Sequence, residues 1–149
     1  MSIKKITAMA IAGLMTLGVV AAVAQDAFVA PATPEAAVAT PKALMKQDGG
    51  ILRSAVPLTG AEAITAMQTL KDNYSHIPAL FPEGSIVGDS EALPAIWENW
   101  EKFVAIAKTG EDAAAAGLVA AEAGDAAGYA AALQAIGGTC GACHQQFRS

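Results

Sequence analysis

An all-α fold, an antiparallel four-helix bundle, is predicted by three features of the sequence. Apolar residues recur at three- and four-residue intervals through four segments, the composition is rich in alanine with few β-branched runs, and the links between segments carry proline and glycine. Hydrophobic residues make up 54% of the chain but aromatic residues only 5%. A core of such small side chains has room for something large and apolar that is not protein.

The chain opens with a leader. Lys4 and Lys5 precede a nearly uncharged run from Ile6 to Val23, which closes on Ala22-Val23-Ala24. Basic start, apolar run and small-residue end form the pattern of a cleaved signal peptide over residues 1–24, leaving residues 25–149 as one domain. An uncleaved membrane anchor is the rival for a run of this length, but Gly13, Gly18 and several alanines weaken it. Cleavage leaves a soluble protein with no stable membrane insertion, and export places it in the periplasm. The formal charge of −5 becomes more negative when Lys4 and Lys5 leave. Such an acidic surface speaks against nucleic acid and for a partner with a basic docking patch.

Thr33-Pro34-Glu35 starts the first helix with a capping residue, a proline at the first helical position and an early carboxylate. Val38, Leu44, Met45, Ile51 and Leu52 continue it, while Pro41 predicts a kink there or a restart capped by Thr40. Thr59-Gly60-Ala61-Glu62 reads as a capping box, and Ile64, Met67, Leu70 and Tyr74 carry a second helix from Gly60 to about Ser75. From His76 to Ser90, four prolines and glycines make a long structured loop of the kind that covers a site. A third helix begins near Leu93-Pro94, presents Ile96, Trp97, Trp100 and Phe103, and ends by Ala123-Gly124. Asp125 caps a fourth, along which lie Tyr129, Leu133, Ile136, Cys140, Cys143, His144 and Phe147.

Both cysteines and one of the two histidines fall in Cys140-Gly141-Ala142-Cys143-His144. This order is the attachment signature of c-type haem: two thiols form thioethers with the haem vinyl groups and the imidazole binds iron. One motif means one covalently attached haem c per chain. A thioredoxin-like pair needs a preceding strand and a helix start, zinc needs about four ligands, and a disulfide between residues three apart closes a small strained loop. Each fits less well than haem.

The residue on the other side of the iron is open from the residues alone. Met45 on the first helix and Met67 on the second offer a thioether, and His76 an imidazole, but methionine at helical spacing also serves as ordinary core.

The chain resembles the cytochrome c prime family, the class II cytochromes c, over nearly all of residues 25–149. The resemblance is carried by LFPEGSIVGDSEALPAIWENWEKF, by the terminal IGGTCGACHQQFR and by Leu44-Met45-Lys46. It implies haem inside the bundle near the C-terminal motif, with Cys140, Cys143 and His144 holding it. In the low-spin branch, called cytochrome c556 or c554, a methionine of the first helix fills the sixth position, which implies Met45 as second metal ligand beside His144. Arg148 matches a near-terminal arginine that packs by the haem, and Phe81 and Trp97 are candidate wall residues. Pro41 stands where the family usually has an arginine near a haem propionate, and Lys42 replaces its charge but not its planar fork. The family often pairs as a homodimer through its first two helices, and composition leaves monomer and homodimer both open. The expected function is then a soluble monohaem carrier of single electrons with His144/Met45 ligation, not an enzyme. The alternative is a high-spin haem with an open position that binds or senses diatomic gases such as nitric oxide.

Overall fold

The computed structural model describes residues 28–149, so the leader expected over residues 1–24 lies outside the described residues. Among the described residues the chain is all-α, with one isolated antiparallel bridge between Ala92 and Arg148 and no sheet. Four long helices make the bundle: α1 (Pro34–Ser54), α2 (Gly60–His76), α4 (Trp100–Ala123) and α5 (Ala126–Phe147). A 3-10 turn (Ile77–Leu80) and a single helical turn, α3 (Ala95–Glu98), lie between α2 and α4. No helix among the described residues is long and apolar enough to cross a membrane.

The local chemistry explains the boundaries, including three that differ from expectation. Thr33 caps α1 through its hydroxyl, which accepts from the Ala36 N–H at 3.2 Å. No restart at Thr40 occurs: α1 runs unbroken through Pro41, which is buried. The capping box at Thr59 does not form its side-chain bond. Gly60 enters the helix at φ +56°, a left-handed conformation that turns the Thr59 hydroxyl away from the first-turn amides. The expected third helix is split at Asn99, where φ is −127° and ψ 44°. There the Asn99 backbone N–H (3.0 Å) and side-chain amide (3.3 Å) both donate to the Ala95 carbonyl, so local bonds compete with the helix.

Gly124 closes α4 at φ +69°, donating to the Ala120 and Ala121 carbonyls, and Asp125 accepts from Ala127 and Gly128 to start α5. This two-residue link makes α4 and α5 a tight antiparallel hairpin. α2 runs antiparallel to α4 through two glycine seats. A Cβ on Gly110 would strike the Tyr74 ring, and one on Gly117 would lie 2.6 Å from the Met67 sulfur and 2.8 Å from the Ala132 methyl. Phe103, Met67, Leu70 and Ile136 are fully buried at this junction.

α1 is held differently. Its main neighbours are α2 and the 3-10 turn, and its C-terminal end is tied by the Tyr129 hydroxyl, which donates to the Ala55 carbonyl at 3.1 Å. Between its N-terminal half and the end of α5 the bundle stays open. Residues 89–93 cross this opening as a strap. Lys42 bonds the Asp89 carboxylate at 2.6 Å and its carbonyl at 2.8 Å. On the other side, Arg148 pairs with Glu91 at 2.7 Å, Ser149 donates to the Glu91 carbonyl at 2.9 Å and Leu93 to the Phe147 carbonyl at 3.0 Å.

Candidate cofactor site

Under the strap lies a cavity of about 380 Å³, within the range of ligand and cofactor pockets. Its wall is mainly apolar: Val38 and Pro41 from α1, Ile96 from α3, Phe103 from α4 and Phe147 from α5. Cys143 and His144 of α5 and Met45 of α1 face it, while Lys42, Lys46 and Arg148 stand among its residues as cations. An apolar interior with cations is the donor set that a large, flat, apolar group with anionic edge substituents requires, and haem is such a group.

Burial sets the protonation of the two cavity-facing motif residues. The Cys143 thiol is pushed up to about 11, by burial first and by Cys140 second. His144 is shifted down from its ordinary value by burial and by the charge of Arg148, against the opposing pull of Glu91. A neutral imidazole is the form that binds metal.

Cys140 does not line the cavity. One helical turn before His144, its sulfur is turned toward α2 and lies 3.3 Å from the Tyr74 hydroxyl. Tyr74 is buried, its oxygen also 2.9 Å from the Thr139 hydroxyl. Since Thr139 donates its own proton to the Ile136 carbonyl at 2.7 Å, Tyr74 donates to Thr139 and has a lone pair left to accept from the Cys140 thiol.

The residues predicted from sequence separate clearly in space. Met45, Phe81, Cys143, His144 and Arg148 gather at one cavity, whereas the Cys140 sulfur meets Tyr74 instead. Met67 instead is sealed in the core against Gly117. His76 stacks on Phe28, with ring centroids 4.1 Å apart, away from the cavity. Trp97 lines no part of it and donates its indole N–H to the Phe81 carbonyl at 3.1 Å. Arg148 carries an ion pair to Glu91 that sequence separation concealed.

Asp48 was not foreseen. It is 3% exposed, one oxygen accepting from the Asn73 amide at 2.6 Å and the other buried without a partner. A signal was present, because positions 38, 41, 45 and 48 fall on one helical face and Asp48 is the lone carboxylate in that stripe.

Comparison with known proteins follows the same lines. The model of the Cytochrome C′ family matches residues 32–148. Cytochrome c′ of Rhodospirillum rubrum is 42% identical over 96 residues, 64% of this chain and 63% of that protein, so the match takes in less than two thirds of the relative. Cytochrome c-556 of Agrobacterium fabrum is 36% identical over 156 residues, 99% of this chain and 97% of that one. A solved nitric oxide complex of a cytochrome c prime mutant from Alcaligenes xylosoxidans superposes with a TM-score of 0.70 at 26% identity, covering 79% of this chain and 98% of the other.

These matches correct one expectation. A single-electron carrier with both axial positions filled by His144 and Met45 gives way to the gas-binding alternative, because the family model, several of the relatives and the solved structures are those of cytochromes c′. The physical reason lies in the methionine itself. Leu44-Met45-Lys46 fixes where Met45 stands, but a flexible thioether in an apolar wall packs as readily as it ligates.

Proposed function

Since the chain belongs to the cytochrome c′ family, with one covalently attached haem c per chain and carriers rather than enzymes as members, we propose that it is a periplasmic protein binding diatomic gases such as nitric oxide. The observation that carries this is the α1 wall of the cavity, built from Ala37, Val38, Pro41 and Met45. An apolar wall of small residues favours a neutral diatomic over water. When bound, haem would supply an iron able to take up a diatomic gas and to change by one electron.

The chain's own groups do the rest. Cys140 and Cys143 would hold a haem covalently on α5. His144, its imidazole kept neutral by burial and by Arg148, would bind the iron. Met45, on the α1 wall, would offer a soft, movable side chain beside the bound gas. Arg148 and Lys42, now paired with Glu91 and Asp89, offer cations to the acidic haem edge. A redox protein with a basic patch returns electrons in brief, salt-sensitive encounters with the acidic surface.

Absorption spectra of oxidised and reduced protein, matured in a host able to attach haem, provide the test. High-spin spectra that change on addition of nitric oxide are expected. A low-spin spectrum with the far-red sulfur-to-iron band in the oxidised form would overturn the open position.

A further inference from the structure

We infer that Asp48 takes up a proton when the iron held in the neighbouring cavity gains an electron, which makes the protein's reduction a coupled electron and proton uptake. This goes beyond gas binding, and rests on the haem-binding reading of the cavity alone.

Placement is the first argument. Pro41, Lys42, Met45 and Lys46 of α1 line the cavity, and Asp48 is the next inward position of that helix. Its Oδ1 accepts from Asn73, whose amide also donates to Gln47 at 3.2 Å. The adjacent α2 residue, Tyr74, reaches the sulfur of Cys140 with its hydroxyl. Asp48 therefore sits about one helical turn beyond Met45 on the same face of α1 and bonds the α2 residue next to Tyr74.

The second argument is its unfinished hydrogen bonding. A permanently ionised carboxylate in this setting is expected to gather two or three donors, but Oδ2 has none. Neutral and ionised forms are both within reach, since burial pushes the group up to about 6 while the Asn73 bond pulls it back.

The third is the set of charges around it. From α2 it meets the Asn73 amide and the Tyr74 phenol, which burial keeps protonated. On α5, Cys140 lies against the Tyr74 hydroxyl and is uncharged once it is a thioether. On α1 the cations nearest in sequence, Lys46 and Arg53, are exposed. No ion pair among the described residues neutralises Asp48, so a change of one charge at the iron reaches it through a medium of low dielectric.

The step balances. Ferric iron, one electron from a reductant, an ionised Asp48 and one proton from solvent give ferrous iron and a protonated Asp48. By linkage the reduced protein holds the proton more tightly, so the reduction potential falls as pH rises through the window around 6. The limiting slope is a tenfold change per pH unit, equal to about 59 mV for one electron.

Spectroelectrochemical titration of the holoprotein between about pH 5 and 8 tests this. The wild type is expected to lose potential across the window, and Asp48→Asn, which keeps size and the Asn73 contact, to be flat there. Equal slopes in both would overturn the inference. Should Asp48→Asn not accumulate, Asn73→Ala serves: it removes a bond favouring the ionised form and is expected to move the window to higher pH, and an unmoved window would sink the idea. Redox-difference infrared spectra add an independent readout. A carboxylic-acid band is expected to appear on reduction, shift in heavy water and vanish in Asp48→Asn, and its persistence in that variant overturns the assignment. A chain that takes up no haem would instead refute the haem-binding reading itself.

Discussion

The α2–α4–α5 side of the bundle and the α1 side are built by opposite means. On the first, glycines let backbones approach: Gly110 seats the Tyr74 ring and Gly117 seats Met67, giving a close-packed junction that is complete without any other group. On the second, α1 stands off from α5, and what spans the gap is a surface strap fastened by Lys42–Asp89 and Arg148–Glu91. Fixed volume makes one half a scaffold. Unfilled volume makes the other a socket, the one proposed above to take the haem.

Removing the haem attachment should divide the two halves most sharply. With Cys140 and Cys143 both changed to serine, α1 amides are expected to lose hydrogen-exchange protection on the order of a hundredfold, about 3 kcal/mol of local stability, while those at the α2–α4 junction change little. Equal loss in both halves would show that α1 belongs to the same cooperative unit.

Next in size is the scaffold itself. Gly110→Ala places a methyl against the Tyr74 ring, and although alanine favours helix by about 1 kcal/mol over glycine, overpacking costs of roughly 3 kcal/mol dominate. The urea midpoint should fall. Gly137→Ala, where the new Cβ meets nothing within 4 Å, should raise it slightly.

A comparable effect separates the halves by pH. Asp48 is raised in the folded chain to about 6, so the native state binds more protons than the unfolded one between its two pKa values. Its contribution to stability is therefore greatest below about pH 4 and is lost as pH rises through 6, by roughly 3 kcal/mol. Asp48→Asn should flatten that part of the stability curve, and Gly110→Ala should leave its shape alone. Smallest of all, Lys42→Ala removes an exposed ion pair and should leave the melting temperature at physiological salt unchanged, while strap amides at 89–92 exchange faster. A clear fall in melting temperature would mean that the strap, rather than the haem, closes the socket.

The scaffold was far more legible in the sequence than the socket. Periodic Ile64, Met67, Leu70 and Tyr74, and the caps at Thr33 and Asp125, are local signals, and local hydrogen bonds and packing turned them into the expected helices. The order of Cys140, Cys143 and His144 carries an attachment signal that needs no fold to be read, and Cys143 and His144 do stand at the cavity. The split at Asn99 was not, since its side chain chooses between two partners for reasons of geometry. Ion pairs joining residues 42 with 89 and 91 with 148 depend on how α1 and α5 meet, which no local pattern encodes. Asp48 lay on the apolar stripe, but a carboxylate's burial depends on what packs over it, which a local pattern does not carry. Met45 was expected as a ligand and stands in the cavity wall, a position that fits packing as well as ligation.

The hairpin at Gly124-Asp125 also orders events in time. Contacts between α4 and α5 close a loop of two residues, whereas those of α1 with the strap join positions dozens of residues apart, and short loops close first. The haem motif thus rides on an early-forming element while the α1 wall arrives late, leaving the attachment face accessible during assembly. Pulse-labelled exchange on refolding should protect α4 and α5 before α1.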